Sequence, residues 1–182
     1  QGSSPETITN YLFKKNKIKP SIKYRSSTEI AKLIMTNQIT TAVLPEPQAS
    51  MVLDKNKNLK RVFILKNEWK KANGQNSIPQ VAIFASQSVI NKNKNLINTL
   101  AKEYKNSLVW MNKSKNEAAK FGIEVFQVAL SETAFENSID NMNLVYIEGL
   151  VAKKSVDTYL NALKSIDANA MSKIPGADFY KK

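Results

Sequence analysis

The apolar positions of this chain alternate between helical spacing and short continuous runs. Ile8, Tyr11 and Leu12 recur at the spacing of a helix face behind Pro5, with Ser3 or Ser4 placed to cap it, so a helix is predicted over residues 5 to 15. IKYRS then reads as a short strand ending near Arg25. Ser26, Ser27, Thr28 and Glu29 follow as a capping box, ahead of a stripe of Ile30, Leu33 and Ile34. The pattern repeats. TAVL (41 to 44) is a short strand closed by Pro45, Glu46 and Pro47, and a brief helix carries Ala49, Met51, Val52 and Leu53. RVFIL (61 to 65) and, after Pro79, VAIFA (81 to 85) are further continuous apolar runs.

From about Asn95 the helical rhythm dominates. Ile97, Leu100, Ala101, Tyr104, Leu108 and Met111 keep one face apolar, and Lys115 to Leu130 continues as helix with a break expected at Gly122. SETAFENSID reads as a loop leading to the strand NLVYIE (143 to 148), and a final helix sets Val156, Tyr159, Leu160 and Leu163 on one side. The tail SKIPGADFYKK has turn signals without periodicity, and is either docked through Phe179 and Tyr180 or frayed.

Continuous apolar runs are expected where helices cover both faces of a parallel sheet. The predicted fold is therefore an α/β doubly wound sheet. Residues 1–130 are expected to form an α/β lobe and residues 131–182 a separate C-terminal segment.

Composition narrows the chemistry. The 182 residues contain no Cys and no His, which removes disulfides, thiolate nucleophiles, imidazole acid-base catalysis and zinc sites of the usual type. No metal or cofactor is expected. No apolar run approaches the ~18 residues of a membrane span. The net charge of +12 invites a nucleic-acid reading, but Arg25 and Arg61 are the only arginines among the cations. Lysine lacks the planar fork that reads bases and phosphates bidentately. KNKIK, LDKNKNLKRV and NKNKNL thus read as a solvated Lys/Asn surface, and no specific nucleic-acid partner is expected.

Several stretches carry a family resemblance. GSSPE opening a helix, TNQITTAVLPEPQASMVL, EWKKANG, IPQVAIFAS, the long helix ending near VWMNKSKNEAAKFG, and NLVYIEG followed by IPGADFY together resemble ABC-transporter substrate-binding proteins of the nitrate/sulfonate/taurine and thiamine-pyrimidine group. The resemblance covers nearly the whole chain and implies a periplasmic-binding-protein-like second lobe. It implies a small-molecule solute, ABC permease subunits as partners, an extracytoplasmic location and hinge closure on the solute. It also implies a first lobe, a leader and a lipid-anchoring cysteine upstream of GSSPE, so that membrane contact is through that anchor only.

Within that frame the candidate ligand residues are Gly2, Ser3, Ser4, Tyr24, Ser26, Ser27, Glu46 and Gln80. Gly2, Ser3 and Ser4 stand at a helix N-terminus, where amides, hydroxyls and the positive end of the dipole suit an anionic oxygen; the plainer reading is a serine cap. Glu46, between prolines, either accepts from a ring amine of the solute or bridges to the opposite lobe, or else forms a hinge turn whose carboxylate faces water or caps the next helix. Ser26 and Ser27 are a cap that also suits a cleft wall. Tyr24 can stack on a planar ligand, whereas Trp69 and Trp110 read as packing residues. Gln80 is either a solute contact or a surface amide. Catalysis is disfavoured, because the lone Ser131 has no imidazole or thiol to activate it and the carboxylates form no acid-base pair. Two rival readings stand beside the importer: a basic nucleic-acid-binding or surface-interaction module, and a pyrimidine-biosynthesis-type enzyme with a reactive lysine.

Overall fold

The computed structural model describes residues 3–127, 130–169 and 173–180. Its regular elements are, in order, α1 (Ser4–Lys15), α2 (Ser27–Met35), α3 (Gln48–Lys55), α4 (Leu65–Asn73), α5 (Gln87–Lys92), α6 (Lys94–Lys113), α7 (Lys115–Phe126), α8 (Glu132–Met142) and α9 (Gly149–Ile166), with a 3-10 turn at Ala177–Phe179. They belong to two compact units. The first comprises Gln1–Ser26, Arg61–Ala82 and Ile147–Lys182, the second Ser27–Lys60 and Ile83–Tyr146.

The expected α/β doubly wound sheet is overturned: among the described residues the regular structure is helical, with no strand. The runs at 41–44, 61–64, 81–85 and 144–148 lack regular structure and join no ladder. Val62, Phe63 and Val81 are 76%, 72% and 83% exposed. β-propensity is a preference for a pleated, half-buried surface, and a run becomes a strand only where a neighbouring backbone takes up its N–H and C=O groups. The runs are apolar enough for a sheet interior, yet no ladder forms.

Two further expectations change. SETAFENSID is a helix, α8, because Ser131 caps it by accepting from the Ala134 amide at 3.1 Å. Its Ala134, Ser138 and Ile139 then share a buried face. Gly122 does not break α7, which runs through it to Phe126. Its function is close approach: a Cβ there would lie 2.5 Å from Cζ of Phe135 on α8.

The first unit is built on α1, α4 and α9, with α1 packing against both others. Its core joins Ile8 and Leu12 of α1, Trp69 of α4, and Tyr159 and Ala162 of α9. Trp69 is 1% exposed and lies between two tilted rings, Tyr11 at 5.3 Å and Tyr159 at 6.0 Å. Polar ties reinforce this packing: the Tyr11 hydroxyl donates to Asn73 Oδ1 at 2.7 Å, and Ser77 Oγ donates to Ser155 Oγ at 3.0 Å.

The second unit uses small residues instead. Ala118 and Ala119 of α7 and Ala134 of α8 are buried where the two helices pack. A satellite cluster of Ala31, Ile34 and Val52 joins α2 to α3.

Candidate functional site

At the start of α1, Ser3 is the N-cap; its Oγ accepts from the Glu6 amide at 3.4 Å, and its carbonyl accepts from the Thr7 hydroxyl at 3.2 Å. Pro5 contributes no N–H. One first-turn donor is therefore used and another does not exist, so the terminus presents the Ser4 amide rather than a row of amides. Gly2 lies outside the described residues.

Glu46 precedes α3 through a cis peptide bond to Pro47. Its Oε2 accepts from the Ser50 amide at 3.0 Å, so the carboxylate caps the first turn of α3, where the helix dipole favours negative charge. Pro47, at the N-cap position, has no side-chain oxygen to do this. Ser27 is the first residue of α2 and is half-buried, while Ser26 before it is exposed. The chain passes from the first unit to the second at this pair. Gln80 is exposed on the irregular segment after Pro79.

Tyr24, among the predicted site residues, lines a concavity. An open groove of about 670 Å³ lies along the C-terminal half of α1 and the segment that follows it; Phe13, Lys17, Ile18, Lys19, Ile22 and Tyr24 are among its walls. Asn10 Nδ2 donates to the Tyr24 hydroxyl at 3.4 Å, which leaves the phenol's own proton free to donate. Ser3 and Ser4 stand toward the other end of α1: Asn10, which holds Tyr24, is six residues beyond Ser4, roughly 9 Å along the axis at ~1.5 Å per residue. The candidate residues of the first unit thus do not converge on one point.

Sequence reasoning missed two features. One is the groove itself, because the basic run around it reads as solvated surface. The other is a constellation at the end of the chain, where the Lys153 ammonium hydrogen-bonds Asp157 Oδ2 one turn along α9. The ammonium lies 5.8 Å from the centre of the Tyr180 ring. The hydrogen bond to Asp157 holds the Lys153 pKa above its ordinary value. Burial, and then the Asp157 charge, push the Tyr180 phenol up. The tail is thus docked through Tyr180, with Phe179 edge-on to it at 5.7 Å. The Lys153/Asp157 spacing is a visible i,i+4 pair, but its meeting with Tyr180 needs the fold.

Ser131, considered as a nucleophile, has both sides of its hydroxyl occupied: it accepts from Ala134 and donates to Asp54 Oδ2 at 2.9 Å. Asp54 also accepts from Lys57 at 3.1 Å, and these two hydrogen bonds, Lys57 first, lower its pKa. Among the described residues no group of three or more carboxylates is arranged to hold a metal ion. No described helix is long and apolar enough to cross a membrane.

No family model and no curated protein matches the chain. Its structure is similar to that of an ABC transporter from Parabacteroides distasonis, with a TM-score of 0.81 and 19% sequence identity over all of this chain. The chain spans 64% of the length of that structure. The two share a fold.

Proposed function

We propose that the chain is part of the solute-binding component of an ABC importer, taking up a small anionic or nitrogen-heterocyclic solute outside the cytoplasm and delivering it to permease subunits. The observation that carries this reading is the fold shared with an ABC transporter along the entire chain. One local feature supports it. Ser3 and Ser4 place a hydroxyl and an amide at the positive end of α1, and such groups suit an oxyanion. In this reading the chain binds without catalysing, and ATP is hydrolysed by another subunit.

The test is a thermal-shift and calorimetric panel of nitrate, sulfonates, carboxylates and thiamine precursors on the native gene product, with crosslinking in intact cells. A stabilising solute and crosslinks to an integral membrane permease are expected. A gene product that no solute of the panel stabilises, and that crosslinks to no membrane protein, overturns the reading.

A further inference from the structure

We propose that the groove at the C-terminal end of α1 binds an organic anion with an apolar body, a carboxylate or sulfonate on an aromatic or aliphatic frame. The site stands on the first unit alone and does not depend on the importer reading.

Its construction follows from how α1 stops. The Lys17 amide donates to the Lys14 carbonyl at 3.1 Å and the Ile18 amide to the Phe13 carbonyl at 2.9 Å, the paired bonds of a Schellman ending. This closure turns the chain back so that Phe13 and Ile18, three and five residues from Asn10 and Phe13 respectively, become walls of one groove together with Ile22. The closure needs a left-handed residue, and Lys17 supplies it at φ 57°. The equivalent positions after α2 and α4 carry Asn37 and Gly74, the residue types that tolerate this conformation. A lysine is the less favourable choice there for folding.

Charge completes the site. Lys14, Lys15, Lys17, Lys19, Lys23 and Arg25 follow one another with no acidic residue among them. Lys14 is engaged, donating to the Ser165 carbonyl at 2.5 Å. Lys17 and Lys19 line the groove and have no anionic partner among the described residues. Tyr24, held by Asn10, adds a hydroxyl donor at the same wall. Two uncompensated ammonium groups, a phenol and the apolar walls Phe13, Ile18 and Ile22 of an open groove recognise a negative head on an apolar frame. The volume of about 670 Å³ lies within the range of small-molecule sites.

The experiment is calorimetric titration of the chain with naphthalenesulfonate, alongside uncharged naphthol, inorganic sulfate and phosphatidylglycerol vesicles. Naphthalenesulfonate is expected to bind one per chain, more tightly than naphthol or sulfate. Lys17→Gly and Lys19→Gln are each expected to weaken it about tenfold. Lys17→Gly serves as its own folding control, because glycine relieves the left-handed position and should raise the melting temperature by about 2–4 °C. Unchanged affinity in both variants overturns the proposal, as does sulfate binding as tightly as naphthalenesulfonate. Binding to the vesicles without binding to naphthalenesulfonate also overturns it, in favour of an anionic membrane surface.

Discussion

The two units reach a buried core by opposite means. In the first, one large side chain does most of the filling: Trp69 of α4 occupies the space between Tyr11 of α1 and Tyr159 of α9. In the second, α7 and α8 approach through Ala118, Ala119 and Ala134, and the Phe135 ring lies over Gly122, in the space a Cβ would take. An aromatic-filled core is sensitive to losing volume, whereas a small-residue contact is sensitive to gaining it. The units also differ at the extremes of pH, since the shifted carboxylate is in the second and the shifted lysine and phenol are in the first.

Mutating the first core should give the largest effect. Trp69→Ala is expected to cost about 3–5 kcal/mol in urea denaturation, through lost transfer energy and the cavity left behind. Trp69→Phe should cost far less, because the indole N–H it removes has no acceptor among the described residues. Equal losses for both would mean that volume is not what the first unit depends on.

Gly122→Ala tests the second unit. Its Cβ would sit 2.5 Å from Phe135, an overpacking of about 1–3 kcal/mol against a helix-propensity gain of about 1 kcal/mol. A net loss of about 1 kcal/mol is expected. Combining it with Phe135→Leu should show favourable coupling in a double-mutant cycle. Additive losses would remove the close approach as the reason for glycine.

Helix caps rank next. Ser131→Ala is expected to cost about 1–2 kcal/mol, since its hydroxyl caps α8 and also donates to Asp54. Ser3→Ala, with a longer 3.4 Å cap bond on an exposed residue, should cost about 0.5 kcal/mol. A reversed order in thermal melts would contradict the geometry of the two caps.

The smallest effects are the pH dependences, which differ in sign. Asp54 has a folded pKa below its ordinary 3.8, so its contribution is present above that value and is lost as pH falls through the folded pKa. Tyr180 has a folded pKa above its ordinary 10.0, so its contribution is present below that value and is lost as pH rises toward the folded pKa. Lys153, raised above 10.5, acts in the same alkaline direction. Asp54→Asn should flatten the acid side of the stability profile and Tyr180→Phe the alkaline side. Each variant flattening the other's limb would refute the assignment.

Much of the helical structure was legible from periodicity. The stripes of Ile8, Tyr11 and Leu12, of Ile30, Leu33 and Ile34, and of Tyr159, Leu160 and Leu163 lie on helices. α8 was missed because Ser, Glu, Thr and Asn in SETAFENSID resemble loop composition, while its apolar stripe is only Ala134, Phe135 and Ile139. The strands failed for a different reason. RVFIL and VAIFA show what they would bury, but a ladder needs a second backbone that no local pattern contains. Of the candidate site, the capping roles of Ser3 and Glu46 were among the alternatives open from residue type and place, and Tyr24 lines a groove. Lys17 and Lys19 were hidden among lysines of identical appearance.

What the sequence determined by itself is local: helix starts, helix faces, the absence of thiol and imidazole chemistry, and the excess of positive charge. What the tertiary structure decided is which of those pieces meet. It put Trp69 between two tyrosines, Phe135 against Gly122, Tyr180 over Lys153, and Lys17 beside Tyr24 in a groove. Periodicity follows from backbone geometry within a few residues, whereas contacts between distant residues depend on how whole faces are buried, and one short stretch of chain does not encode that.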